Sequence, residues 1–307
     1  MSRRDTIERK YMRDPEHFAD FFNGYIYNGE EVIMADDLQE VDTTNITVIP
    51  CDNGKKVETI QKYRDVLKKC VLMKSKKMYY LYMGIENQTE IHYAMPVKNM
   101  LYDSLLYSQQ VEALARYNRD NKETDNSAEF LSGFRKADKL IPIVTATVYW
   151  GDEPWDGPVN LKSMFDELDE DVDSLVNDYN CNLFSIIDAE KLPEYRTELG
   201  ELFNVLRLRN SDEELTSLVM SNINYQSIDK DTAMMMREFA NIKLPRSSKE
   251  GKYNVCKAIR DLERKSAERA TINHIRNLMN NSKKSFSESC VLLGINKTDM
   301  ERYRKMI

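Results

Sequence analysis

The chain has 307 residues, of which 41% are hydrophobic and 31% charged, with a formal net charge of −7. That composition supports a full-sized catalytic core with a smaller appendage and argues against intrinsic disorder. The five scattered cysteines (Cys51, Cys70, Cys181, Cys256 and Cys290) form no CxxC pair, which argues against a disulfide frame or a zinc knuckle.

The first residues, MSRRDTIERKYMRDPE, are too charged for a signal peptide, and the best apolar run, 141–150, is too short to span a bilayer. A soluble, cytoplasmic protein is expected. A helix is predicted over 5–28, because Phe18, Phe21, Phe22, Tyr25 and Ile26 recur at helical spacing and Gly29 follows as a stop. Residues 30–49 are mixed, and Asn53-Gly54 marks a turn. Strands are expected at 65–72 and 77–88, joined as a hairpin through Lys74-Ser75-Lys76. A helix follows over 97–119, then a polar surface loop over 121–132. The β-branched run IPIVTATVYW (141–150) reads as a buried strand, 151–158 as a loop and 182–187 as another strand. The acid run DELDEDVD (166–173) lacks the spacing and glycine of a calcium loop and reads as a solvated loop or helix start. From Leu192 onward the pattern is helical. The order suits an α/β core with a sheet of about five strands over 1–194 and a helical C-terminal region over 195–307.

Chemistry concentrates in MYYLYMGIENQ (78–88). Side chains alternate across a strand, so Glu86 and Gln88 share one face with Gly84, while Leu81, Met83 and Ile85 share the other. In a hairpin turning near Ser75, Asp65 falls almost opposite Glu86. Two carboxylates so placed repel unless a cation lies between them, and hard oxygen ligands favour Mg2+ or Mn2+ over zinc. Taken singly, each acid could equally be a solvated residue at a strand end.

Asp65 followed by Glu86-x-Gln88 resembles the D…ExQ variant of the PD-(D/E)XK nuclease signature. More specifically, the chain resembles the bacterial recombination-promoting nuclease and transposase family. The resemblance is carried by FADFFNGYIYNGEEVI (18–33), Arg64-Asp65-Val66, GIENQT (84–89), Met95-Pro96, Tyr102-Asp103, PIVT (142–145), Tyr149-Trp150-Gly151, Asn177-Asp178-Tyr179 and Asn182-Leu183, across roughly residues 15–190. It implies a restriction-endonuclease-like core with a mixed sheet flanked by helices, and a metal-dependent DNA endonuclease linked to recombination or mobile elements. Asp65 and Glu86 would hold Mg2+ or Mn2+, with the main-chain carbonyl of Asn87 as a further ligand. The metal would generate the nucleophile and stabilise charge on the scissile phosphate. Gln88 stands where many relatives carry Lys; it can orient water but brings no charge, so Lys68 or Lys69 become candidate cations. The superfamily often adds an acid from the first helix, for which Asp20, with Glu30 and Glu31 behind it, is the candidate; an ordinary polar helix position is the alternative. Tyr102 and Gln109 share a helix face and either approach the site or DNA, or simply pack; the same holds for Asp103.

Residues 243–307 carry 16 Lys and Arg against 7 Asp and Glu, whereas residues 1–242 carry 28 against 44. A basic tail on an acidic body suits a polyanion-facing end or merely well-solvated helices. Residues 254–281 read as one long helix. Ser285 and Glu288 have capping-box spacing, Gly294 stops a short helix, and Asn296 starts another. This pair resembles a helix-turn-helix, in which Lys297, Arg302, Arg304 and Lys305 would meet phosphates, or else a plain helical hairpin for packing or assembly. The three dispersed histidines, and the lack of phosphate-loop and GxSxG motifs, set other chemistries aside. Two further readings stay open: a catalytically silent nucleic-acid-binding or interaction protein, and a defence effector switched on by a regulatory protein partner. A homodimer would suit cutting both strands.

Overall fold

The computed structural model describes residues 3–42, 44–51, 56–74 and 77–307. Where one helix was expected over 5–28, the chain forms α1 (Arg3–Arg13) and α2 (Pro15–Tyr27). Asp14 and Pro15 make the break. The Asp14 carboxylate accepts the Glu16 and His17 N–H groups as an N-cap, and proline is tolerated at the first helical position because its missing N–H would have no partner there. Asn28 and Gly29, at φ 51° and 90°, end α2 in the left-handed region.

Among the described residues seven strands follow: β1 (Leu38–Glu40), β2 (Thr44–Cys51), β3 (Lys56–Tyr63), β4 (Val66–Lys74) and β5 (Lys77–Gln88), then, beyond α3 (Met95–Asn121), β6 (Ile143–Tyr149) and β7 (Asn182–Ser185). β2 and β3 pair with each other, a hairpin that the mixed composition of 30–49 did not reveal. The other five form one sheet in the order β1-β4-β5-β6-β7. Its β1, β4 and β5 are antiparallel, and β5, β6 and β7 are parallel. The α/β architecture with a five-stranded mixed sheet is therefore as expected. The expected turns at Asn53-Gly54 and Ser75-Lys76 lie outside the described residues, although the ladders on either side close to Cys51↔Lys56 and Lys74↔Lys77.

Parallel pairing of β5 and β6 requires a crossover, and α3 supplies it. α3 covers one face of the sheet, through Asn99 to Thr147 and Asp103 to Thr145. α1 and α2 cover the other, where Phe18, Phe21, Phe22, Met83, Ile85 and Val148 are buried. The polar stretch expected as loop contains α4 (Ser127–Ser132), because the Asn126 side chain caps the Ala128 and Glu129 N–H groups. The acid run becomes the start of α5 (Glu170–Leu175), capped by Asp169 in the same way. Glu170 and Asp171 sit in the first turn, near the positive end of the helix, where acids are favoured.

The remaining helices are α6 (Leu199–Arg207), α7 (Asp212–Ser221), α8 (Lys230–Ala240), α9 (Val255–Asn281), α10 (Phe286–Leu292) and α11 (Lys297–Arg304). The chain divides into two compact units, one of Met1–Leu215 with Met234–Ala240, the other of Thr216–Ala233 with Asn241–Ile307. The boundary expected at 194 thus lies later. α6 belongs to the first unit because Phe203 packs its ring within 5.7 Å of Trp150 and 5.4 Å of Phe184. In the second unit, Ile275 of α9, Cys290 of α10 and Tyr303 of α11 share a small core with Phe286, Ile295 and Met300. The two short terminal helices therefore rest on a third. The Ser285–Glu288 capping box forms, and Gly294 turns the chain at φ 68°. Among the described residues no helix is long and apolar enough to cross a membrane.

Candidate active site

The β4–β5 ladder pairs Val66 with Ile85, so Asp65, one residue before β4, falls opposite Glu86. Asp65 does not continue the ladder with its carbonyl. Its carboxylate Oδ2 accepts the Asn87 N–H at 2.9 Å, while its main-chain carbonyl accepts Arg9 Nε of α1, also at 2.9 Å. Glu86 lies on the α3 face beside Thr147 of β6 and is only 1% exposed. Lys98, in the first turn of α3, reaches Glu86 Oε2 at 3.0 Å. Arg64 Nε stands 3.9 Å from Glu86 Oε1, too far for a hydrogen bond, and both atoms lack a hydrogen-bond partner.

Arg64 itself is buried under α3. It donates to Asp103 Oδ1 at 2.7 Å and to Thr145 Oγ1 at 2.9 Å, while the Tyr179 hydroxyl donates to Asp103 Oδ2 at 2.6 Å. Gly84 makes room for it, since a Cβ there would lie 2.5 Å from Arg64 Nη1. Asp103 thus holds the arginine that faces Glu86. Tyr102, on the same helix, lays its ring within 5.6 Å of Arg64 Cζ and 5.9 Å of Lys98 Nζ.

A third acid joins from α1. Glu8 is 3% exposed, and its Oε2 has no hydrogen-bond partner. With Asp5, Asp65, Asn87, Gln88 and Lys98 it lines a cavity of about 290 Å3. Burial, and then the neighbouring Asp65 charge, push the Glu8 carboxyl from 4.5 up to about 8. Burial also pushes Glu86 from 4.5 up to about 7, against the pull of Lys98, and raises Asp65 above the ordinary range. Three carboxyls at one sheet end are thus all resisted in their charged form.

The expected first-helix acid, Asp20, is not among the residues lining this cavity. Its carboxylate accepts the Arg196 and Thr197 N–H groups and the Thr197 hydroxyl, fixing the chain before α6. Glu31 pairs with Arg196. The sequence offered Glu8 only as a polar position in a helix taken as continuous through residue 14. Lys68 is not the displaced cation: it pairs with Met83, on the face opposite Glu86, where it bonds Glu40 at 2.7 Å and lies over Phe18. Lys69 shares the face of Glu86 but directs its ammonium onto Tyr80, 4.5 Å from the ring centre. The cation at Glu86 is Lys98, whose place one turn into the helix after the ExQ strand is the signal that could have found it. Gln88 lines the cavity, and its amide donates to the Asn87 carbonyl at 2.7 Å, the same oxygen expected to serve as a ligand. Gln109 is exposed two turns beyond Tyr102. In the second unit, Arg302 bonds Glu268 at 3.2 Å and Arg304 covers the Phe286 ring, so both lie against neighbouring helices, while Lys297 is exposed.

Among the described residues no group of three or more His, Cys, Asp or Glu side chains is arranged to hold a metal ion. Mg2+ asks for fewer such groups, since it takes one or two carboxylates and keeps several waters. Glu8 Oε2, which has no hydrogen-bond partner, and Asp65 line the cavity, whereas Glu86 Oε1 faces Arg64 Nε. No protein-family model, no curated protein and no solved structure matches this chain.

Proposed function

We propose that this chain is a divalent-metal-dependent endodeoxyribonuclease with a restriction-endonuclease-like core, allied to the recombination-promoting nuclease and transposase family that its motifs resemble. The observation that carries the reading is the convergence of Asp65 and Glu86 on one sheet end, with Lys98 3.0 Å from Glu86 and Glu8 lining the same cavity as Asp65. Asp65, Glu86 and Glu8 would hold Mg2+ or Mn2+, which on binding supplies Lewis-acid stabilisation of phosphate charge and a water acidic enough to attack. Lys98 balances the charge of Glu86 and offers a fixed positive group to a phosphate oxygen, the role that Gln88 cannot fill. Gln88, turned onto Asn87, can swing its amide to orient a water. Arg64, held by Asp103 and Thr145, keeps a positive charge 3.9 Å from Glu86.

The same Lys98–Glu86 pair supports a second reading, in which the lysine substitutes for the metal and the protein binds nucleic acid without cutting it. Binding to labelled DNA in the presence of EDTA, alongside cleavage with Mg2+, separates the two. Cleavage lost in Asp65→Ala and Glu86→Ala supports the nuclease; binding that survives chelation without any cleavage supports the silent form.

A further inference from the structure

Beyond the acid cavity, the loop after β6 and the end of β7 border an open surface slot of about 540 Å3. Its walls are Trp155, Val159, Leu183 and Phe184, and Asp188 stands at its polar end. Asp188 is held in place: its Oδ2 accepts the Trp155 N–H at 3.0 Å and the Ser185 hydroxyl at 2.5 Å. Its Oδ1 accepts no hydrogen bond among the described residues. The indole is fixed as well, since Nε1 donates to the Gly157 carbonyl at 2.8 Å and the ring meets Tyr149 edge-on at 5.1 Å. An aromatic wall held by a hydrogen bond and a ring contact is a stacking surface that costs a ligand ring little to order.

The slot adjoins the acid cavity. Tyr149 pairs with Gln88 across β5 and β6. Gly157 approaches Ile91, which lines the acid cavity, so closely that a Cβ would lie 3.1 Å from Ile91 Cγ2. Tyr93 donates its hydroxyl to Asp156, another slot residue, at 3.1 Å. Charge selects the occupant. Asp156 and Asp188 repel phosphate, whereas a lone carboxylate oxygen beside an aromatic wall matches a flat ring that presents N–H donors. Guanine offers two neighbouring donors, N1–H and N2–H, that can converge on that one oxygen.

We propose that this slot takes one unpaired nucleobase of the substrate, guanine before the others, stacked against Trp155 and hydrogen-bonded to Asp188. The inference rests on the nuclease reading for the identity of its ligand. Because the Watson–Crick edge would face Asp188, the base must be unpaired, so the slot favours single-stranded or locally opened DNA.

Tryptophan fluorescence of the full chain tests this directly. Of its two tryptophans, Trp150 is 1% exposed, so a ligand in the slot is reported by Trp155. The protein, in EDTA, is titrated with labelled oligothymidylate carrying one central guanine, one inosine or none. Saturable quenching is expected, tightest with guanine, weaker with inosine and about 10-fold weaker with thymine alone. Trp155→Phe removes the quenching. Asp188→Asn, which can still accept from Trp155 and Ser185, brings guanine down to the level of inosine. Equal affinity for the three oligonucleotides, absence of quenching, or no binding of any of them overturns the slot. Metal-dependent cleavage without guanine-dependent quenching sinks the slot and leaves the nuclease; guanine-dependent quenching without cleavage does the reverse.

Discussion

Glu8 and Glu86 are acids that the fold resists ionising. Glu8 has its carboxyl raised from 4.5 to about 8 by burial and by Asp65 and Asp5, with Arg4 opposing. A group whose pKa is higher in the folded than in the unfolded chain destabilises the fold as pH rises through that window. The metal-free protein should therefore lose thermal stability between about pH 5 and pH 8, since one pKa unit is worth about 1.4 kcal/mol. Glu8→Gln should flatten this slope and raise stability at the alkaline end by up to a few kcal/mol. Thermal denaturation across pH checks it, and a steeper slope in the variant would contradict it. Mg2+ should stabilise the wild type more at pH 8 than at pH 5, because it favours the charged carboxylates. Lys98→Gln should lower kcat/KM on plasmid DNA by about 10²-fold. It should also move the acidic limb of the pH–rate profile upward, because Glu86 loses the partner that favours its ionised form. A drop in rate with no movement of the limb would leave Lys98 a packing residue only.

At the scale of elements, the hairpin of β4 and β5 was the most legible part of the site. Asp65 and Glu86 are nearly equidistant from Ser75, and antiparallel pairing converts that symmetry into opposition; the Val66↔Ile85 register agrees. Strand alternation also placed Glu86 and Gln88 on one face. The same alternation, applied to β4, excludes Lys68, which falls on the other face. What the sequence left hidden comes from elements distant in the chain. Lys98 and Arg64 reach Glu86 by side-chain length, and Glu8 enters only because Asp14 and Pro15 end α1 before α2 begins. Asp20 misled because its helix position is polar in either role, and only the fold shows Arg196 and Thr197 beside it. Gly84 is the point where element geometry can be tested. Gly84→Ala puts a methyl group into the Arg64 guanidinium and should cost about 1–3 kcal/mol by urea unfolding, with a matching loss of cleavage. Full stability in that variant would show that Arg64 is free to leave Glu86.

For the whole molecule, charge is distributed unevenly. On the proposed nuclease reading, the acidic remainder would repel DNA and the 16 basic residues among 243–307 would be the natural source of attraction. The structure narrows them: Arg302, though exposed, is drawn to Glu268, whereas Lys297 and Lys305 are exposed and make no ion pair among the described residues. Replacing Lys297 and Lys305 by alanine should weaken DNA binding uniformly across sequences, and each lost phosphate contact should lower the salt slope by about 1. Affinity and salt slope unchanged in a filter-binding series would assign the tail to packing or assembly instead. Neither the tail nor the slot bears on the chemistry if the acids at the sheet end do not cut. The most direct test is cleavage of supercoiled plasmid by the pure protein with Mg2+ or Mn2+, with EDTA, Asp65→Ala and Glu86→Ala in parallel. Metal-dependent nicking that both variants lose is the predicted result. Intact plasmid at high enzyme excess, or nicking that persists in both variants, would contradict the account.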